Sequence, residues 1–181
     1  MARATNALGT IRELSGRDAD LHREHLLRLD AEGRRERFNG VAGDHFIRDY
    51  AARCFAGRTR VFAFIDAEGI VRGAAELHAP AQGEPADIAF SVEPTFRQSG
   101  IGSRLFEVVM SAARYSRYPE LRITSTAGNR AMRALARKFG ARFTFEAGEV
   151  VGLIGLDVSH GKVAATRRAP ALPAERYAAA V

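Results

Sequence analysis

The chain has 181 residues, 46% hydrophobic and 27% charged, which suits one globular domain and excludes collagen, a coiled coil and a wholly disordered chain. Its single cysteine, Cys54, excludes an internal disulfide and the cysteine-cluster zinc and iron–sulfur sites. The formal charge is +6, and half of it falls after residue 158, where Lys162, Arg167, Arg168 and Arg176 face only Glu175, so the body is too weakly basic to argue for nucleic acid.

No apolar run approaches the ~20 residues that span a bilayer. The opening MARATNALGTIREL lacks the apolar stretch of a secretory signal. A soluble, cytoplasmic protein without membrane contact is expected. In chain order, residues 1–9 carry no period, and Thr10 to Leu14 suits a short strand. Asp18 to Leu29 reads as a helix capped by Asp18, with Leu21, His25, Leu26 and Leu29 on one face. Glu32 to Gly43 is polar and glycine-bearing, a loop or a broken helix. Asp44 opens a helix with Phe46, Ile47, Tyr50, Cys54 and Phe55 as its stripe. Gly57 ends it. Cys54 is expected to pack there. His22, His25 and His45 read as helix-surface residues with no clustered carboxylate, so no metal is implied.

A strand-rich region follows. Val61 to Ile65 and Ile70 to Ala79 flank Asp66-Ala-Glu-Gly69 as a hairpin. Ala86 to Val92 is another strand. Ile88, Phe90 and Val92 fall on one face, and Asp87, Ala89, Ser91 and Glu93 on the other. Pro94 ends it. From Ile101 the period becomes helical, with Leu105, Val108, Val109 and Ala112 apolar. Leu121 to Ser125 is a strand. Asn129 caps a helix ending at Gly140, and Arg142 to Glu146 and Glu149 to Leu156 are final strands. The order β-α-α-β-β-β-α-β-α-β-β has few parallel crossovers and predicts a mixed α/β sheet. Residues 159–181 lack a period and suit a flexible basic tail, dispensable for folding. Tyr177 is the tail's only ring, which speaks against nucleic acid.

The stretch from Ala86 to Leu105 carries the chemistry. A strand breaks at proline, turns through Gly100 and Gly102 and enters an amphipathic helix. The N–H groups of residues 98–103 and the positive end of the helix dipole suit a pyrophosphate, with Arg97 and Arg104 nearby. Ser103-Arg104 does not supply the Gly-Lys-Ser/Thr of a nucleotide P-loop. Leu105 stands where a Rossmann fingerprint needs its third glycine.

Arg97-x-x-Gly100-x-Gly102 after Val92-x-Pro94 resembles the acyl-coenzyme A loop of the GNAT N-acetyltransferase superfamily. Asn129-Arg-Ala-Met-Arg-Ala-Leu-Ala-Arg-Lys-Phe-Gly140 resembles its second signature. The similarity runs over roughly residues 10–157. Ala86-Asp-Ile-Ala-Phe90 and Asn129-Arg-Ala-Met132 are most similar to the Pat-type bacterial protein-lysine acetyltransferases, which carry glutamate where this chain has Asp87.

The resemblance implies a single α/β domain over residues 10–158, its mostly antiparallel sheet flanked by about four helices. It implies acetyl-CoA as cosubstrate and direct attack by an amine, either a protein lysine or a small molecule. A homodimer is compatible with it. The cofactor site would comprise Phe90, Ser91 and Val92, Arg97, Gln98, Ser99, Gly100, Ile101, Gly102, Ser103 and Arg104, with Asn129 and Arg133. The backbone near Phe90 to Val92 would pair with pantetheine and face the thioester oxygen. Asp87 would be the general base through a water, with Glu93 the other carboxylate, expected to point to solvent. Asn129 can cap its helix, contact the cofactor, or both. Ala136 stands where many family members place a tyrosine acid, leaving thiolate protonation to water or another hydroxyl, or needing none. The alternative is a non-catalytic acyl-CoA sensor of the same fold.

Overall fold

The computed structural model describes residues 9–156, Ala147 apart. The expected tail at 159–181 and the end of the 10–158 domain lie outside the described residues. The elements are β1 (Gly9–Leu14), α1 (Ala19–Leu27), α2 (Ala31–Phe38), α3 (Asp44–Ala56), β2 (Thr59–Asp66), β3 (Val71–His78), β4 (Ala86–Val92), α4 (Ile101–Tyr115), β5 (Glu120–Thr126), α5 (Arg130–Lys138), β6 (Arg142–Glu146) and β7 (Glu149–Gly155). The strands form one sheet in the order β1-β2-β3-β4-β5-β7-β6. Every neighbouring pair is antiparallel except β4 and β5.

The helices cover both faces. Buried Ile101, Leu105, Phe106, Val109 and Ala113 of α4 pack on Phe62, Phe64, Leu77, Ile88, Leu121 and Ile123. On the other face Leu26, Ile47, Tyr50 and Cys54 of α1 and α3 pack on Val61, Ala63 and Val71. The β2–β3 hairpin turns as its sequence requires: the Asp66 carboxylate accepts from the N–H groups of Glu68 and Ile70, and Gly69 takes a φ of 81°.

Two local expectations change. Residues 31–38 form helix α2, capped by Asp30 Oδ1 accepting from Gly33 N at 2.7 Å. Gly33, a helix breaker by composition, sits there because a Cβ would lie 2.8 Å from Arg97 Nη2. Asp18 does not cap α1 with its side chain; its carboxylate turns back to Ser15 and takes two hydrogen bonds from Arg12. Among the described residues no helix is long and apolar enough to cross a membrane.

Candidate active site

The sheet parts at its one parallel pair. β4 meets β5 only at Ala86–Leu121 and Asp87–Arg122. Beyond those residues β5 continues against β7, and β4 continues against β3 to Val92. The β5-facing edge of β4 from Ile88 to Val92 therefore has no strand partner among the described residues. Pro94 ends β4 in a single 3₁₀ turn, and Gln98 and Gly100 swing the chain round with φ of 59° and 85°. Gly73 on β3 lets the start of α4 come close: a Cβ there would meet Ile101 at 3.0 Å and Leu105 and Val92 at 3.3 Å.

The N–H groups of Gln98, Ser99, Gly100, Ile101, Gly102 and Ser103 have no hydrogen-bond acceptor among the described residues. Six donors thus gather at the positive end of a fifteen-residue helix. The side chains divide differently. Ile101 is fully buried, so only its backbone can face a ligand. Ser99 Oγ donates to Phe96 O at 2.5 Å. Phe90 and Val92 pack against the α4 core, with Phe90 stacked on Phe106 and Phe106 on Phe139 at centroid distances of 4.8 and 4.3 Å. Neither arginine side chain extends over the loop: Arg97 Nε donates to Val92 O and its Nη2 lies 3.5 Å from Asp30, while Arg104 lies over the Phe64 ring. The cation beside the loop is Lys138, whose Nζ donates to Ser103 Oγ at 3.2 Å. Sequence reading passed over it because it stands 35 residues further on.

Asn129 is buried and its Oδ1 accepts from Met132 N at 2.9 Å, so it caps α5. Ala136 is fully buried in the core. Arg133 Nε is buried without a hydrogen-bond partner among the described residues.

The opposite face of β4 carries Asp87, Ser91 and, just beyond the strand, Glu93. Both Asp87 oxygens accept from Arg122, at 2.6 and 2.8 Å, and Glu84 holds the same guanidinium. Glu93 does not point to solvent. It is 5% exposed and accepts from Arg28 Nε at 2.8 Å and Arg72 Nη1 at 3.0 Å, with His25 Nδ1 at 3.3 Å. Burial pushes its pKa up, but the bonds from His25, Arg28 and Arg72 outweigh this and lower it to about 2.

His22 and His25 are not surface residues; both are fully buried, and each meets a carboxylate. His45 is on the surface, 3.1 Å from Asp49. His22 Nε2 lies 3.1 Å from Oε1 of Glu76, a buried carboxylate that sequence reading did not single out. Glu76 Oε2 accepts from Arg37 at 2.5 Å and from Tyr50, with His78 Nε2 at 3.1 Å. Burial would raise the Glu76 pKa; the Arg37 charge and the two histidines hold it well below the usual range. His22, Cys54 and Glu76 offer ligand atoms within 4.8 Å of one another. The Arg37 charge already balances the carboxylate, and burial, then Glu76, push the Cys54 thiol up, away from a thiolate. The cluster therefore serves as an ion-pair lock joining α1, α2 and α3 to β3.

A family model described as acetyltransferase (GNAT) domain matches residues 10–142. The chain belongs to the GNAT acetyltransferase family. No curated protein matches it in sequence. Among solved structures it is similar to the GNAT domain of S. lividans PAT, at 17% identity and a TM-score of 0.72, covering 86% of this chain and all of that one. The ribosomal-protein-S5-alanine acetyltransferase of Vibrio fischeri follows the same fold at 10% identity and a TM-score of 0.64, covering 81% and 92%. A phosphinothricin acetyltransferase of Sinorhizobium meliloti, solved in complex with acetyl-CoA, does so at 15% identity and 0.60, covering 82% and 88%. The GNAT family is one of acetyl-CoA-dependent acetyltransferases, and the fold has the mixed, mostly antiparallel sheet that the sequence motifs imply.

Proposed function

We propose that the protein moves the acetyl group of acetyl-CoA to an amine, on a protein lysine or a small molecule, by direct attack on the thioester. The observation that carries this is the β4 edge running into six N–H groups at the start of α4, all without a partner among the described residues. The edge suits an extended amide-bearing arm as an added strand, and the helix start suits a pyrophosphate. Phe90, Ser91 and Val92 contribute backbone to the arm, and residues 98–103 contribute backbone to the phosphates. Lys138 is the nearby cation, and Arg133 Nε, without a partner among the described residues, is a donor for a ribose phosphate.

Asp87 and Glu93 support the site by holding cations: Arg122 in one case, Arg28 and Arg72 in the other. For Glu93, the bonds from His25, Arg28 and Arg72 remove most of its affinity for a further proton at neutral pH. Thiol release from acetyl-CoA tests the function, with lysine-containing peptides and small amines offered in parallel. Amine-dependent release is expected. Acetyl-CoA binding without release to any amine would instead favour an acyl-CoA sensor.

A further inference from the structure

On the face of β4 turned to α1, three buried side chains stand in a row: Ser91 of β4, His25 of α1 and Glu93 just beyond the strand. Ser91 Oγ lies 2.9 Å from His25 Nε2, and His25 Nδ1 lies 3.3 Å from Glu93 Oε1. The roles follow from valence. An ionised carboxylate only accepts, so Nδ1 carries the ring proton. The neutral ring then leaves Nε2 bare, and Nε2 must accept from the Ser91 hydroxyl. A hydroxyl, a base and an orienting carboxylate in this order are the parts from which proton transfer is built, whatever the fold.

We propose that Ser91 and His25 form the proton relay of the acetyl transfer inferred above, on which this assignment rests. The amine attacks in its neutral form. As the C–N bond forms, its N–H proton passes to Ser91 Oγ while the Ser91 proton passes to His25 Nε2. The C–S bond breaks and its electron pair leaves on sulfur. The imidazolium then returns its proton to Oγ, and Oγ gives its own to the thiolate, so coenzyme A departs as the thiol and the relay is reset. The hydroxyl thereby serves as the thiolate's acid in a chain that has Ala136 where others carry a tyrosine.

Position decides between Ser91 and Asp87. Ser91 lies within the Phe90–Val92 segment assigned to the thioester. Asp87 is four residues earlier, roughly 13 Å along a strand, and its carboxylate is fixed on Arg122. Burial, the largest influence on His25, holds its pKa below the ordinary value, and the Glu93 bond opposes this only in part. The ring is therefore neutral and able to accept at pH 7. The charged groups around it are Glu93 at Nδ1, Arg28 on the same helix, Arg72 of β3 behind Glu93, and His22, itself against Glu76.

The test uses the full chain, acetyl-CoA and methoxyamine, an amine much less basic than histidine, with rates referred to the concentration of neutral amine so that acceptor ionisation stays off the profile. The wild-type kcat should fall on the acid side as His25 becomes protonated. Ser91→Ala should lower kcat by about 10²–10⁴-fold, leave KM for acetyl-CoA unchanged and abolish that acid limb. Ser91→Thr, which keeps the hydroxyl, should retain most of the rate. His25→Gln, whose amide can hold Ser91 but cannot take a proton, should fall as far as Ser91→Ala. Asp87→Asn should lose less than either. Wild-type turnover in Ser91→Ala or in folded His25→Gln, or an acid limb that survives in Ser91→Ala, would overturn the relay. If calorimetry shows no acetyl-CoA binding to the wild type, the acetyl-transfer function fails instead. Binding with an unaffected Ser91→Ala sinks the relay alone.

Discussion

At the scale of single residues, the carboxylates show how strongly partners decide a role. Glu93 ionises at about 2 in the fold against an ordinary 4.5. A depressed carboxylate stabilises the fold above its unfolded pKa, and that stability disappears as pH falls through the folded one. The window for Glu93 is therefore from about 4.5 down to about 2. Arg28 is partly exposed, so solvent screens the pair and the contribution is on the order of 2 kcal/mol. His25 acts in the same direction over a higher range. Its neutral form is held in the fold, so protonation below about 6.5 favours unfolding. Melting temperatures should stay level above pH 7 and fall on acidification, and Glu93→Gln should flatten the part of the slope below pH 4.5. An unchanged slope in that variant would remove Glu93 from the account.

None of this pairing was legible in the sequence. His25 and Glu93 are 68 residues apart, and His22 and Glu76 are 54 apart, so no local period links them. A histidine on an amphipathic helix reads as surface until its partner is known. The loop at 97–104 was legible because proline and two glycines mark a backbone course, and backbone course is what local sequence encodes. The facing of side chains was less so: Arg97 and Arg104 were expected at the phosphates, but one turns toward α2 and the other covers Phe64.

At the scale of elements, α2 was hidden by Gly33, whose missing Cβ is what allows Arg97 to pass. α2 is then held through Arg37, which reaches Glu76 across the helical layer. Removing one partner of a buried pair leaves the other charged and unsolvated, at a cost of about 3–5 kcal/mol. Glu76→Ala should lose that much in chemical denaturation. A loss under 1 kcal/mol would show that Arg37 finds another partner or water. On the other face, Phe106 is fully buried between Phe90 and Phe139. Phe106→Ala should cost about 3–5 kcal/mol and loosen the β4–α4 junction, so acetyl-CoA affinity should fall with stability. Unchanged affinity would mean that the loop holds its shape without that stack.

At the scale of the whole molecule, the sheet order explains why the site lies where it does. A parallel pair between two antiparallel halves is bound only at its first residues, and the halves twist apart beyond it. The helix after β4 must start beside the gap, and its unpaired N–H groups face that end. The α/β class and strand succession were readable from periodicity and turn residues, and the family from two short motifs. Which strands part was not readable, because it depends on pairing between segments 35 residues apart.

Calorimetry of acetyl-CoA with the wild type and Gly102→Glu tests the central claim most directly. Gly102 sits among the six N–H groups that have no acceptor among the described residues, and a Cβ there already meets Leu135 at 3.3 Å. The substitution puts a negative charge where the phosphates are assigned. The wild type should bind, and Gly102→Glu should bind at least about tenfold more weakly while its circular dichroism stays native, about 1.4 kcal/mol or more in binding free energy. Equal affinity in a folded variant would place the cofactor elsewhere and contradict the site described here.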